Sequence, residues 1–313
     1  MSSNNNNGAS KVIKGILIAA AICAVIGIVL LGIGIHNGGR LSSANFSLLD
    51  PFNWFKFTSG DHDVRIVVGS DDDHEWVTGS SHFDFANDGT IENLDFSIPA
   101  AKVKFIESDK DYSIDVESNR RFAQYKVYQD GDTLVVKADE SDWDFDSDDK
   151  TQITIAMPRN VKLKNVNLDI AAALVKSECA FDCESFSLSL GAGSVTLDSV
   201  AAKDSKIELA AGEFICRKLV CDDCDIDMAM GSVDISGTIR DDANIDCAMG
   251  ELRLNLEDNE KDHNYCIDAG VGTVRIGSSK LSDVAFDGDI DNGADSDYNI
   301  ECAMGEVVID FAL

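Results

Sequence analysis

The chain has 313 residues, which is enough for one or two ordinary domains with a sizeable core. It carries 26 Lys and Arg against 56 Asp and Glu, a formal net charge of -30. This charge opposes binding to nucleic acid and to anionic lipid headgroups, so the sequence predicts no polyanionic partner and no nucleic-acid partner.

A membrane anchor is predicted near the N-terminus. Gly15 to Ile35 contains no charged residue, and a helix of that length spans the ~30 Å hydrocarbon core of a bilayer. We assign residues 12–35 to a transmembrane helix in the lipid bilayer and residues 1–11 to a disordered cytoplasmic tail. Lys11 and Lys14 precede the run, so the positive-inside rule predicts a single-pass protein with an extracellular ectodomain. A cleaved signal peptide is the alternative, but the apolar run is longer than its usual ~7 to 15 residues.

Residues 36–80 read as an acidic juxtamembrane spacer without a sustained period. His62, His74 and nearby His82 lie among aspartates, which suggests either a metal cluster or a solvated acidic loop. Their irregular spacing favours the acidic loop.

The region 81–165 is predicted to form short β-strands. Segments such as IENLDFSI, YSIDVES and DTLVVKAD alternate apolar and polar residues, as strands with one buried face do. Asp130-Gly131 lies between two such segments and indicates a hairpin turn.

The region 166–313 is a Gly-centred repeat. Its copies are LSLGAGSVTL, IELAAGEFIC, IDMAMGSVDI, IDCAMGELRL, IDAGVGTVRI and IECAMGEVVI, with a degenerate first copy in which Ala173 takes the glycine position. The repeat glycines are Gly193, Gly212, Gly231, Gly250, Gly272 and Gly305. Such self-similarity indicates stacked structural units.

Aliphatic residues recur five positions before each glycine and two and four positions after it. Because side chains alternate along a strand, these columns are predicted to share one interior face. The glycine is expected at a corner that needs positive φ or close backbone contact. The predicted ectodomain is therefore all-β with β-solenoid-like repeats, and an antiparallel β-sandwich is the alternative. The chain stops directly after a repeat, so self-association through the C-terminal coil is also expected.

These residues resemble the bacterial putative adhesin family of unknown function with β-strand repeats. The resemblance rests on ITIAMPRNVKLKNVNLDI, Ile153 to Ile170, on the Gly-centred copies after it and on the DTLVVKAD strand before it. It covers about residues 81–313 and implies a membrane-anchored surface protein. It supplies no catalytic residues.

An outward column of mostly acidic side chains is predicted four positions before each glycine. Stacked carboxylates repel unless they are solvated or bridged by cations, and calcium accepts several carboxylate oxygens. The hypothesis is a calcium column; the alternative is an acidic solvent face that discourages aggregation. The proposed ligands are Asp169, Glu208, Asp227, Asp246, Asp268 and Glu301.

The cysteines mostly fall on core columns. Cys216, Cys247 and Cys302 are predicted to behave as small buried hydrophobic residues, and Cys221 with Cys224 has C-x-x-C spacing without a second pair.

No enzyme motif is present in the sequence, so the predicted function is non-enzymatic. We interpret the chain as a cell-surface binding or adhesion module for an extracellular protein or glycan. The alternative, which the family resemblance implies, is a cell-envelope stress sensor or regulatory scaffold that acts through a membrane partner.

Overall fold

The computed structural model describes residues 77–99, 101–118, 124–138, 151–280 and 286–312. In these residues the fold is all-β, with a short 3-10 helix at Glu260–Asp262, and the all-β prediction is confirmed. The strands are β1 (Val77–Thr78), β2 (Ser81–Phe85), β3 (Asn93–Ile98), β4 (Lys102–Ser108), β5 (Tyr112–Ser118), β6 (Gln124–Asp130), β7 (Thr133–Ala138), β8 (Thr151–Pro158), β9 (Lys162–Ala201), β10 (Asp204–Cys221), β11 (Asp223–Met228), β12 (Gly231–Ile239), β13 (Ala243–Leu256), β14 (His263–Ala269), β15 (Thr273–Ile276), β16 (Ser279–Lys280), β17 (Phe286–Ile290) and β18 (Ser296–Phe311).

The strands stack in parallel as successive coils, which is a solenoid-like arrangement. We number the coils by their place in the stack. They are β7 with β8 (coil 1), β3 with β4 (coil 2), residues 162–177 of β9 (coil 3), residues 185–201 of β9 (coil 4), β10 (coil 5), β11 with β12 (coil 6), β13 (coil 7), β18 (coil 8) and β14 with β15 (coil 9).

The interior is built from ladders of apolar side chains. Ile207 pairs in register with Leu188 on one side and Ile226 on the other, and all three side chains are fully buried. The columns two and four positions after each glycine are buried in the same way, and the core is continuous from Ile91 to Ile309. Strands from both sides of residue 165 therefore contribute to one core.

The coils do not follow chain order at either end of the stack. The strands of coil 1 follow those of coil 2 in the sequence, and the strands of coil 9 precede that of coil 8. β18, the last strand of the chain, pairs with β13 on one edge and with β14 and β15 on the other. β18 therefore lies inside the stack and is hydrogen-bonded along both edges, whereas the self-association expected of the C-terminal coil would need an open edge there.

Antiparallel strands cover both ends of the stack. Beyond coil 1 lie β6 and β5, followed by β1 and β2. Beyond coil 9 lie β16 and β17, and β17 is a five-residue strand with exposed Asp287 and Asp289. Short, charged edge strands discourage edge-to-edge pairing with other chains. The antiparallel sandwich alternative is thus wrong for the repeats, whose pairing is parallel.

The repeat glycines form one column in which backbones approach too closely for a side chain. Gly231 and Gly250 have φ of +129° and +127°. A Cβ atom built on Gly231 would lie 2.0 Å from the carbonyl oxygen of Gly212, and one built on Gly250 would lie 2.1 Å from that of Gly231. Only glycine fits such contacts, because both the conformation and the space exclude a side chain.

No helix among the described residues is long and apolar enough to cross a membrane. The anchor predicted at 12–35, the tail 1–11 and the spacer up to residue 76 lie outside the described residues.

Candidate functional site

The most extended chemical feature of the surface is a line of carboxylates that crosses coils 5 to 9 and the adjoining strand β17. Six successive strands place an acidic residue at the same outward position, and direct register pairs join each one to the next. We call this set the acidic column. In stack order it contains Glu208, Asp227, Asp246, Glu301, Asp268 and Asp287.

The acidic column differs from the sequence prediction in three respects. Asp169 lies in coil 3 opposite Ser97 and belongs to the same face, but the Ser189 position separates it from the continuous run. Glu301 precedes Asp268 in the stack because β18 lies between β13 and β14. Asp287 of β17 extends the column by one carboxylate, which the repeat alignment could not include because β17 is not a repeat copy.

Like charges at this spacing make the acidic column electrostatically unfavourable. Partial burial, with the neighbouring carboxylates Asp227 and Glu301, raises the pKa of Asp246 to about 6. Partial burial and Glu208 also raise the pKa of Asp227, and a hydrogen bond between the Asp227 and Asp246 side chains opposes that increase. Both carboxyl groups therefore hold a proton more readily than an isolated aspartate does. At the first residue of the acidic column, Lys206 Nζ lies 2.7 Å from a Glu208 carboxylate oxygen.

An amide ladder two residues before the acidic column holds adjacent strands in register. Asn244 donates to Asp225 at 2.8 Å, and Asn299 donates to Asn244 at 2.9 Å. These side-chain bonds link coils 6, 7 and 8 one to the next. They fix the spacing at which the neighbouring carboxylates are displayed.

Calcium coordination remains a prediction. Carboxylate oxygens are ligands that calcium prefers, and Asp227 with Asp246 presents them on neighbouring strands. Within the part of the chain that the structure describes, no group of three or more His, Cys, Asp and Glu side chains is arranged as a metal centre. A cation on this face would bridge adjacent strands rather than occupy a closed shell of protein ligands.

A buried polar network connects coils 7, 8 and 9, and sequence reasoning missed it. His263 Nδ1 lies 2.7 Å from the Ser296 hydroxyl, and His263 Nε2 lies 3.1 Å from Asp258 Oδ2. The serine hydroxyl also donates to the carbonyl oxygen of Asp241. His263 and Ser296 are register partners at the same repeat position, nine residues before Gly272 and Gly305.

The network has the residue types of a catalytic triad but not its accessibility. His263 is 2% exposed, Ser296 is 6% exposed, and the imidazole lies 4.2 Å from the Tyr298 ring, centroid to centroid. A nucleophile has to reach its substrate, whereas this hydroxyl is buried and already bonds to the backbone. Its role is to tie the last three coils together.

The cysteines lie where the repeat columns place them. Within the described residues seven are buried and Cys266 is exposed, and none of them is bridged. Burial raises the pKa of the Cys216 thiol to about 11. Contact with Cys221 and burial raise the pKa of Cys224. The Cys216 and Cys224 thiols are therefore poor nucleophiles and metal ligands in the folded protein, because the thiolate is disfavoured.

Of the three spacer histidines, only His82 is among the described residues. Its Nδ1 lies 2.5 Å from Asp115 and its Nε2 lies 3.1 Å from Asp84, both exposed carboxylates. The hydrogen bond and charge of Asp115 raise the pKa of His82, with a smaller contribution from Asp84. This contact joins β2 to β5 on the surface.

Solved structures with a similar strand arrangement include three bacterial proteins. A putative cell adhesion protein from Clostridium sporogenes ATCC 15579 is 10% identical, with 76% of this chain and 100% of that chain covered at a TM-score of 0.34. A putative adhesin from Bacteroides fragilis NCTC 9343 is 12% identical, with 74% and 98% covered at a TM-score of 0.39. A putative lipid binding protein from Parabacteroides distasonis ATCC 8503 is 11% identical, with 75% and 98% covered at a TM-score of 0.25.

No curated protein matches the sequence. Residues 91–302 match the family described as Toastrack DUF4097, and this range spans the coils from β3 into β18. The match agrees with the family resemblance carried by the Gly-centred copies. The chain therefore belongs to the Toastrack DUF4097 family.

Proposed function

We propose that this protein is a non-enzymatic binding module, held on the outer face of the cell membrane by residues 12–35 and displaying the acidic column to an extracellular protein or glycan. The observation that carries the proposal is the six-strand run of carboxylates at one outward position. Its strands are ~4.8 Å apart, so it presents regularly spaced charges to an extended ligand.

The electrostatics of the acidic column favour a cationic ligand surface. The raised pKa values of Asp227 and Asp246 reflect the cost of keeping neighbouring carboxylates ionised. A ligand that brings cationic groups to this face removes part of that cost. Basic side chains, amino sugars and a glycan bridged by calcium all have this chemistry.

The stack also provides the rigidity that such a surface requires. Five of the six strands of the acidic column, all except β17, are backed by fully buried aliphatic residues, among them Ile226, Ile245 and Ile300. A ligand therefore meets a preformed face and binds without ordering the protein first, which lowers the entropic cost of association.

The test is binding of the full chain in lipid nanodiscs to an array of cell-wall glycans and extracellular matrix proteins, with and without calcium. Asp227→Asn with Asp246→Asn removes two charges from the acidic column. Asp182→Asn with Glu184→Gln removes two charges from exposed side chains of β9, outside the acidic column, and serves as the matched control.

Saturable binding that the column variant loses and the control variant keeps would support the proposal. Absence of saturable binding to every protein and glycan on the array would contradict it and direct the search to a membrane partner, as a sensor or scaffold requires. Binding that both variants retain would place the ligand on another face.

A further inference from the structure

A small basic patch with a protruding leucine lies on coils 2 and 3. Lys102 and Lys104 of β4 are register partners of Leu174 and Lys176 of β9. The four side chains border a shallow depression of about 350 Å³. In a chain with a net charge of -30, this concentration of cations is a local exception.

The patch keeps a net positive charge. One carboxylate, that of Glu178, lies 3.2 Å from Lys104 Nζ and 3.1 Å from Lys176 Nζ. Among the described residues, no carboxylate lies within ion-pair distance of Lys102. Three ammonium groups thus face one carboxylate, and the side chains of the three lysines and of Glu178 are all exposed to solvent.

Leu174 distinguishes this patch from a site for a soluble anion. Its side chain is 59% exposed, one of two large hydrophobic residues that the described part of the chain leaves in solvent. A hydrated anion gains nothing from that side chain. A phospholipid surface offers phosphates to the lysines and an apolar layer just beneath them to the leucine, which is how interfacial contacts divide their polar and apolar groups.

We propose that this patch docks the domain onto anionic phospholipid headgroups of the bilayer that holds the chain. The inference rests on the anchoring part of the proposed function, because three lysines and one leucine give only weak attachment to a free protein. For a tethered domain the local lipid concentration is high, so a weak contact is sufficient. The acidic column begins at coil 5, two strand spacings or about 10 Å beyond coil 3, so at physiological ionic strength its charges are largely screened from the patch.

The first test is lysine acetylation of the full chain in nanodiscs of phosphatidylcholine alone or mixed with phosphatidylglycerol. We expect Lys102, Lys104 and Lys176 to react several-fold more slowly in the anionic discs. Lys110, Lys162 and Lys203 are exposed elsewhere on the domain and should react equally in both. Leu174→Ser should reduce the protection without changing the melting temperature.

Equal acetylation rates of the patch lysines in the two kinds of disc would overturn the proposal. Protection by added poly-glutamate in neutral discs, with none from phosphatidylglycerol, would overturn it in favour of an acidic peptide partner. Loss of the phosphatidylglycerol effect in high salt would support it, since screening weakens exposed charge contacts.

A chain that does not enter nanodiscs would contradict the anchor and leave the patch to be tested alone. The same full chain is then sedimented with vesicles of either composition. Replacement of Lys102, Lys104 and Lys176 by Gln should weaken binding to anionic vesicles by about fivefold per lysine. Replacement of Lys110, Lys162 and Lys203 by Gln should leave it unchanged, and absence of any phosphatidylglycerol-dependent binding would refute the patch as a lipid surface.

Discussion

Asp246→Asn should stabilise the folded protein at neutral pH and remove part of its pH dependence. Asp246 lies in the middle of the acidic column, between Asp227 and Glu301, and its partial burial, together with these neighbouring carboxylates, raises its pKa from 3.8 to about 6. Ionisation of this carboxyl is therefore more costly in the folded state than in the unfolded state.

The direction of the pH effect follows from that difference. Between pH about 6 and about 4 the folded state holds a proton that the unfolded state has released, so unfolding free energy rises as the pH falls through this window. A shift of this size corresponds to about 3 kcal/mol for a fully buried group. Since part of the Asp246 side chain is in contact with solvent, we expect about 1 kcal/mol after solvent screening.

The measurement is denaturant unfolding of wild type and Asp246→Asn at pH about 7.5 and about 4.5, followed by circular dichroism. The variant should be more stable by about 1 kcal/mol at the higher pH, and the advantage should shrink at the lower pH. Asp182→Asn makes the same change in net charge at an exposed position with only a 3.8 Å contact to Lys162, and it should show a much smaller effect. Destabilisation by Asp246→Asn at neutral pH, or an advantage that does not depend on pH, would refute this reasoning.

Three further perturbations test other parts of the structure. Gly250→Val should destabilise the fold by more than about 3 kcal/mol in a thermal melt, because a Cβ atom at this position has no space. As a control, Gly131→Ala, at a turn with open space around it, should cost about 1 kcal/mol. An unchanged melting temperature for Gly250→Val would contradict the glycine column. His263→Ala should lower unfolding free energy by about 3 kcal/mol by opening a cavity and leaving buried polar partners unpaired, and a loss below about 1 kcal/mol would show that the network is dispensable. Millimolar calcium should raise the melting temperature of wild type but not of the Asp227→Asn, Asp246→Asn double variant; equal responses of the two proteins would exclude the acidic column as the calcium site.

The interior of the fold was predictable because the alternation of apolar and polar residues in each repeat copy shows which of its side chains are buried. The alternation around Gly231 and Gly250 specifies which side chains face inward, and identical spacing specifies the register with neighbouring copies. Local pattern and tertiary packing agree at these positions, so sequence was sufficient.

The order of coils 8 and 9 was not predictable in the same way. The copies centred on Gly272 and Gly305 match the repeat equally well, and a strand reports which face it buries but not which strand lies beside it. The gaps of 22 and 33 residues allow either order. The one available signal was that His263 with Ser296, and Tyr265 with Tyr298, occupy equal repeat positions, which makes them candidates for direct pairing.

The candidate surfaces were predictable to different extents. Most of the acidic column follows from repeat alignment, but Asp287 enters through an antiparallel strand outside the repeat. The basic patch combines Lys104 and Lys176, which are 72 positions apart and belong to segments with no common motif. Only the stacking of β4 on β9 brings them together.

The most direct test of the central claim is the pH dependence of affinity for the strongest ligand found on the array, measured with the full chain and with the Asp227→Asn, Asp246→Asn variant. If the acidic column binds cationic groups, wild-type affinity should fall as the pH drops below about 6, where Asp246 takes up a proton, and the variant should bind weakly at every pH. Equal affinities for the two proteins, unchanged between neutral and acidic pH, would contradict the account.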